Sequence, residues 1–535
     1  MDVVTALDAD ASPPTSPDED TPPLLQMPNE LVQQILGHLS PVDLARVSQT
    51  CRKLLDHARE DRLWKPFVEG STPSTALQDN PPSSWRELYI THFPFWFVCR
   101  RKLWFSDSNH VGKLLLTRYN PVENAIEGYA LTAERGQNMF ELWEWNPEVI
   151  IHTFDPRVRL DSTGPVIKLD RHAYSNAFGD PSCSRLQQEL MMNVHNSQAS
   201  HGLYSMFMLS RPCPPEITTP GTKVWPPPSI PAQERTRNES INRFRGTMHK
   251  PSKLSEVSET TWRLRKWMEF NQHPHAGGTT TRVGEEVTTF ATLDAEVYTP
   301  TPQKPWRGIW CGDYAGHGCE FLVVMQPENP APLPPGAQRA IANARRNSSV
   351  SSINSFASAQ SHQNTAAAST TSSGTVFNLD ADDGSDDAAY PPVGPYVPPA
   401  SYSNSAQQGH RQDSVTGAKD DFVDYDPSIY SGRIEAVKLT GDPNIPRGEY
   451  TFIAPDIGPD GFYRVAHEKI FQGARVVRSV GHIAARGFRD DEFITSQLIM
   501  ISHDRLAQYW EPFGHVSFYQ RVDVEALLAS RTNGN

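Results

Sequence analysis

Between residues 113 and 522 the chain repeats one kind of segment: a short run rich in Val, Ile, Leu, Tyr, Phe and Trp, closed off by Gly, Pro or Asn. "KLLLTRY" and "AIEGYALTA" flank the turn residues Asn120–Asn124, and "MFELWEW", "EVIIHTF", "RGIWCGDY" and "CEFLVVM" follow. The style resumes near 430 with "GRIEAVKLTGD", "GEYTFIA", "GARVVRSVGHIAARGF", "EFITSQLIMIS", "RLAQYWEP" and "GHVSFYQRV". Branched and aromatic side chains fit a pleated, half-buried surface, and the punctuation favours short antiparallel connections. Such a chain folds as an antiparallel sandwich or a closed barrel. Neither block, 85–327 or 428–524, holds comfortable strand numbers for a barrel alone. The two are therefore expected to form one domain.

Two interruptions break the pattern. Residues 213–255 hold "PCPPEITTPGTKVWPPPSIPAQERTRNES", expected as a Pro-rich insertion loop. Residues 328–427 hold "SSVSSINSFASAQSHQNTAAASTTSSG" and the acidic "LDADDGSDD". About a hundred residues of loop do not belong inside a compact domain, so this segment is expected to be a disordered insertion. Residues 1–25 carry Asp2, Asp8, Asp10, Asp18, Glu19 and Asp20 with no Lys or Arg, which predicts a disordered acidic tail. In that tail Ser12, Ser16 and Thr21 each precede a proline, the pattern of proline-directed kinases, and Ser348 follows Arg345-Arg346-Asn347, a basophilic pattern. Residues 525–535 are expected as a second tail.

Charge and cysteine usage narrow the classes of function. The 49 Lys and Arg against 62 Asp and Glu leave a net charge of −13, which argues against nucleic acid as the main partner. There is no apolar run long enough to span a bilayer, and the acidic start is not a secretory signal. Cys51, Cys99, Cys183, Cys213, Cys311 and Cys319 are sparse and unpatterned, so no disulfide framework is expected. These features predict a cytoplasmic or nuclear protein that binds neither membrane nor nucleic acid.

"MPNELVQQILGHLSPVDLARVSQTCRKL", residues 27–54, departs from the β style. Pro28 and Asn29 stand at a helix start with Glu30 complementing the dipole. Leu31, Ile35 and Leu39 recur every four residues with Val32 and Leu36 alongside. Ser40-Pro41-Val42-Asp43 starts a second helix with Leu44 and Val47 inward. A unit of this size needs a partner for its apolar stripe. The segment resembles an F-box. Met27-Pro28-Asn29-Glu30 stands at the family's leucine-proline-x-glutamate start, with Met27 replacing leucine. Ile35-Leu36, Asp43-Leu44 and the run Val47–Arg52 fall on its further signatures, and Trp64 on its closing tryptophan. The resemblance implies docking to the Skp adaptor of a cullin-RING ubiquitin ligase through Pro28, Leu31, Ile35, Leu36, Leu39, Leu44 and Val47, the F-box spanning 26–70.

A second resemblance lies in the β blocks. "GIWCGDYAGHGCEFLVV", "KLTGDPNIPRGEYTF" and "GHIAARGF" are similar to segments of one family of F-box-only substrate receptors. That family recruits cyclin D in animals, is associated with C-terminally amidated proteins, and has a lipocalin-like, up-and-down β-barrel as its substrate domain. The resemblance covers the F-box and roughly residues 85–210, 300–326 and 430–522, and neither the acidic tail nor the 328–427 insertion. It implies an α+β multidomain protein, a small all-α F-box followed by an antiparallel β-barrel with a long disordered insertion.

No enzyme constellation stands beside it. The chain has no G-x-S-x-G, no G-x-x-x-x-G-K and no H-E-x-x-H. Cys311, His317 and Cys319 match no zinc knuckle spacing, and the run Asp380–Asp387 lacks the Gly and Glu of a calcium loop. No catalytic residue, cofactor or metal is expected. A closed barrel instead lets inward residues and loops at one mouth bind a peptide end. Trp310, Asp313, Tyr314, His317, Glu320, Asp442 and Asn444 are expected there, with Asp313, Glu320 and Asp442 repelling a carboxylate. The expected function is substrate recognition within an SCF-type ligase. Two alternatives stay open: an F-box scaffold outside the ligase, and a lipocalin-like barrel binding a small apolar ligand.

Overall fold

A computed structural model describes residues 22–72, 84–107, 111–134, 140–152, 155–178, 184–192, 203–212, 230–232, 249–271, 280–313, 318–344 and 425–530. The chain divides into one unit of residues 1–346 with 426–535 and a second of 347–425. Residues 345–424, with Ser348, lie outside the described residues, as do Ser12, Ser16 and Thr21, most of the 213–255 loop and the last five residues.

The N-terminal segment is four helices, Asn29–Leu36, Pro41–Val47, Arg52–Ala58 and Asp61–Glu69, preceded by a turn of helix at Pro23–Gln26. That turn already begins inside the stretch expected to be a tail; Leu25 accepts a hydrogen bond from Lys53 Nζ at 2.6 Å. Ser40 caps the second helix by accepting the Asp43 N–H at 3.2 Å. Val32, Leu36, Leu44, Leu63, Trp64 and Val68 bury together as its core.

Residues 85–101, expected to open the β domain, are two helices, Trp85–His92 and Trp96–Arg101. Trp85, Leu88, Tyr89 and His92 fall at helical spacing, and Ser84 caps the first helix through the Glu87 N–H. His92 is fully buried; its ring nitrogens lie 2.7 Å from Tyr174 OH and 2.9 Å from Asn124 Oδ1. Asn124 holds a left-handed φ of 46° in the turn predicted at 120–124 and also accepts from Tyr119 OH at 2.8 Å. Burial pushes the His92 pKa down to about 4. The folded protein therefore keeps His92 neutral where the unfolded chain, near 6.5, takes up a proton. Stability should fall as pH drops from about 6.5 toward 4, by about 3 kcal/mol from this group. His92→Gln, compared with the parent by urea unfolding at pH 7 and pH 5, should lose part of that slope; an unchanged slope would remove His92 as its source.

Ten strands form one sheet in the order Arg157–Leu160, Ala125–Glu134, Leu114–Asn120, Leu103–Ser106, Thr280–Ala291, Thr261–Asn271, Leu203–Leu209, Glu189–Met191 and Ala177–Phe178, with Ile167–Leu169 also on Ala125–Glu134. Its central strands are buried on both faces. Trp104, Leu115, Tyr119, Ile126 and Ala130 point into the core shared with the helices. Leu103, Phe105, Leu114, Leu116, Tyr129 and Leu131 point the other way, against the second β structure. Two covered faces explain why "LWFS" and "LLLT" run apolar without alternation.

That second structure is a closed barrel. Nine strands pair in its sheet, and eight close into a ring of chain neighbours: Gly308–Asp313, Cys319–Met325, Ile434–Lys438, Tyr450–Ala454, Arg475–Ala485, Arg489–Met500, Arg505–Trp510 and His515–Arg521, the last returning to the first. This is the expected up-and-down antiparallel barrel. The first β block contributes only its last two strands to the ring; those before residue 291 stay in their own sheet. Inward positions of all eight strands supply one core, with Trp310, Leu322, Val324, Ile434, Ala436, Phe452, Val477, Leu498, Leu506 and Tyr519 among them. Outward positions Ile309, Phe321, Val323, Val437, Ile499 and Phe518 pack on the ten-stranded sheet.

The expectation of disorder over 328–427 fails at its start. Residues 335–344 are helical, and Ala337 and Ala340 bury against Ile453 and Val480 on the outer barrel wall, flanked by Leu333, Ile341 and Phe493. Arg433 Nη1 donates to the Ala331 carbonyl at 2.6 Å. Replacing 347–424 by a short Gly/Ser linker should therefore leave the melting temperature within a few degrees, because loop-closure cost grows slowly with length. Extending the deletion back to 331 should lower it further by uncovering Ile453 and Val480. Equal melting temperatures for the two deletions would show that the helix contributes nothing.

Candidate functional site: an adaptor face and a barrel mouth

The helix Asn29–Leu36 has two apolar sides. Val32 and Leu36 face the four-helix core, whereas Met27, Leu31 and Ile35, each four residues apart, are 39%, 47% and 42% exposed. Pro28 is exposed beside them, and Leu39 and Val47 are partly buried against the core. Leu36 and Leu44, expected on the adaptor face, are 2% and 0% exposed and belong to the domain's own core. A four-residue repeat cannot say which of two adjacent stripes turns inward. The free stripe is Met27, Leu31 and Ile35.

At the barrel, inward positions change character along the axis. One end is apolar. Trp310 lies there, fully buried, its indole N–H donating to the Trp306 carbonyl at 3.1 Å. It is core and does not line the mouth. Toward the other end, where Gly308–Asp313 finishes and Cys319–Met325 begins, the inward residues are polar. Ser479 and Ser496 hydroxyls lie 2.8 Å apart, Gln508 Nε2 donates to Ser496 Oγ at 3.0 Å, and Tyr519 OH donates to Gln508 Oε1 at 3.0 Å. Trp510 Nε1 donates to Ser517 Oγ at 3.0 Å. Gly481 sits under the Trp510 ring, where a Cβ would come within 2.2 Å of the ring, so only glycine fits.

The same end holds a buried charged triad. Lys438 pairs in register with Leu322, which turns its side chain into the barrel. Its Nζ lies 2.9 Å from Glu320 Oε2 and contacts Asp442 Oδ2. All three residues are at most 4% exposed. Asp442 is held by its own turn, Oδ1 accepting the Asn444 N–H at 2.6 Å and the Ile445 N–H at 2.7 Å. Burial pushes Glu320 up to about 8, beyond what Lys438 can offset. Burial also acts on Asp442, but Lys438, Glu320 and the Ile445 N–H overcome it and bring its pKa down to about 2. Burial opposes the charge on Lys438, and the two acids raise its pKa nonetheless. Burial thus favours the protonated form of Glu320, while Lys438 holds Asp442 ionised.

Of the residues expected at the mouth, the structure brings Glu320, Asp442 and Asn444 together. Asp313 stands on the rim in register with Cys319, on the outward face. Tyr314 and His317 lie outside the described residues. The expected wall of acids repelling a carboxylate is instead neutralised by Lys438, which sequence reasoning missed, as it missed Ser479, Ser496, Gln508 and Ser517. Their signal was the strand period: each stands at an inward position of a strand otherwise apolar there. Cys311 and Cys319 are free thiols, and the Cys311 proton is held by its hydrogen bond with Cys319 and by burial. Among the described residues no group of three or more His, Cys, Asp and Glu is arranged for a metal ion.

Comparison with known families meets this geometry at both ends. Residues 24–68, the four helices with the free stripe, match the family model of F-box-like domains. Residues 290–526, which span the whole ring, match that of the cyclin D1 binding domain. The chain is an F-box protein resembling the cyclin D-recruiting receptor. No curated protein matches it. In this F-box protein the two matched regions are joined by the helices 85–101 and the ten-stranded sheet, and no helix among the described residues is long and apolar enough to cross a membrane.

Proposed function

We propose that this F-box protein is the substrate-recognition subunit of an SCF-type ubiquitin ligase, docking the Skp adaptor through Met27, Leu31 and Ile35 and holding a protein substrate at the polar mouth of its barrel. The observation that carries the reading is the union, in one chain, of an F-box with an unburied apolar stripe and a barrel matching the cyclin D1 binding domain. It contributes no chemistry of its own. Transfer belongs to the conjugating enzyme brought by the cullin-RING scaffold, and the receptor supplies proximity, making an encounter effectively intramolecular. It works in the cytoplasm or nucleus, on cyclin-like or C-terminally amidated proteins. A small apolar ligand is disfavoured because Trp310, Phe452 and Tyr519 already fill the barrel axis.

The buried triad gives a reason to favour an amide terminus. A carboxylate entering beside Glu320 and Asp442 adds a negative charge where two buried acids already share Lys438, and burying it is costly. An amide adds none, and its NH₂ can donate to Asp442. Titrating the full chain, bound to adaptor, with peptides that differ only in an amide or acid terminus should show the amide binding at least about tenfold tighter. Asp442→Asn should erase the difference. Equal affinities, or preference for the acid, would overturn the amide reading.

A further inference from the structure

The F-box packs directly on the elements that follow it. Its core residues Leu36, Leu44, Trp64 and Val68 belong to one buried cluster with Trp85, Leu88 and Trp96 of the following helices and with Trp104, Leu115 and Trp262 of the ten-stranded sheet. The joint itself is aromatic. The Tyr89 ring lies 5.5 Å from Trp64, 5.9 Å from Phe67 and 6.4 Å from Trp96, on which it stacks, and Trp96 Nε1 donates to the Tyr89 carbonyl at 2.9 Å. Trp96 in turn meets Tyr119 of the sheet at 5.5 Å. Two contacts brace the joint from the side: Asp61 accepts the Arg86 N–H at 3.2 Å, and Lys65 lies 5.6 Å over the Trp85 ring. Beyond the joint the sheet is covered on its second face by the barrel wall.

We propose that the Trp64–Tyr89–Trp96 bracket is a positioning element for ubiquitin transfer: it locks the F-box to the ten-stranded sheet, so that the sheet acts as a rigid spacer fixing the barrel mouth relative to the bound adaptor. The inference rests on the ligase reading above. The physical argument is that transfer in a large assembly depends on how often the substrate lysine meets the thioester, and a loose joint dilutes that encounter. Interlocked rings, close-packed on both sides, permit one orientation and transmit it. Tyr89 is the central ring and is only partly buried, so its truncation loosens the joint without opening a deep core.

Tyr89→Ala should retain the binding of adaptor and of substrate peptide yet lower kcat of transfer about tenfold at unchanged KM. Tyr89→Phe, which keeps the ring, should transfer at the parent rate. Inserting four Gly/Ser residues between 73 and 83 should also leave kcat unchanged, because the rings set the geometry. Dyes at exposed Gln49 and Glu492, introduced through unnatural amino acids, should report one narrow distance in the parent and a broad distribution in Tyr89→Ala. The distance measurement needs no ubiquitin, so it separates failure of the bracket from failure of the ligase reading. Parent-like kcat in Tyr89→Ala, a loss wholly in KM, an unchanged distance distribution, or an equal loss from the lengthened connection would each overturn the proposal.

Discussion

Leu31→Asp combined with Ile35→Asp should abolish co-purification of the Skp adaptor and cullin while leaving the fold intact. Both side chains are more than two-fifths exposed in the free chain, so neither substitution disturbs the four-helix core. Covering each in a complex contributes about 1–2 kcal/mol, and two carboxylates in that dry contact add a desolvation cost of several more. Leu36→Asp is expected to behave differently. Leu36 packs with Val32, Leu44 and Trp64, so a charge there should unfold the F-box and lose the adaptor by that route. Comparing circular dichroism melts with pull-downs separates the two cases. If the Leu31/Ile35 double variant brings down adaptor at the parent level, the docking face lies elsewhere.

Lys438→Met leaves two buried acids without their cation and should destabilise the protein by about 3–5 kcal/mol, the usual cost of removing one partner of a buried ion pair. The loss has a pH signature. Asp442 is held at about 2 by Lys438 among other groups, so its paired stability is present above the unfolded value near 3.8 and fades as pH falls toward 2. The difference between parent and Lys438→Met should therefore shrink as pH falls from 7, because the orphaned acids of the variant take up protons before Asp442 of the parent does. Adding Asp442→Asn to Lys438→Met should recover part of the loss, since the orphaned charge is gone. Denaturant melts at pH 7 giving a difference below about 1 kcal/mol would show that the cluster is hydrated and not the closed pair described above.

Much of this arrangement was legible in the residues, and what was not has physical causes. The barrel strands read directly because their runs of branched and aromatic residues end at Gly, Pro or Asn. The F-box read through its spaced Pro28, Ile35-Leu36, Asp43-Leu44 and Trp64. Pairing partners did not read: strand runs identify strands but not their neighbours, so the split between the ten-stranded sheet and the ring, which depends on long-range register, stayed hidden. Lys438 escaped because a lysine in a strand normally faces water, and only the fold shows Glu320 and Asp442 meeting it in the dry interior. The helix at 335–344 was submerged in the composition of the segment around it, although Ala337, Ala340 and Ile341 keep helical spacing. Residues 85–101 fell inside the block expected as β, although Trp85, Leu88, Tyr89 and His92 keep the spacing of a helix packed into a joint.

We propose that one chain joins an adaptor-docking F-box to a barrel that holds the substrate. Reconstituted ubiquitin transfer decides it. With adaptor, cullin-RING scaffold, activating and conjugating enzymes present, the full chain should drive ubiquitin onto a D-type cyclin. The Leu31→Asp/Ile35→Asp variant, and the parent competed with an amidated peptide, should not. Conjugation that persists undiminished in both cases, or that never exceeds the rate without the chain although both partners bind it, would contradict the claim.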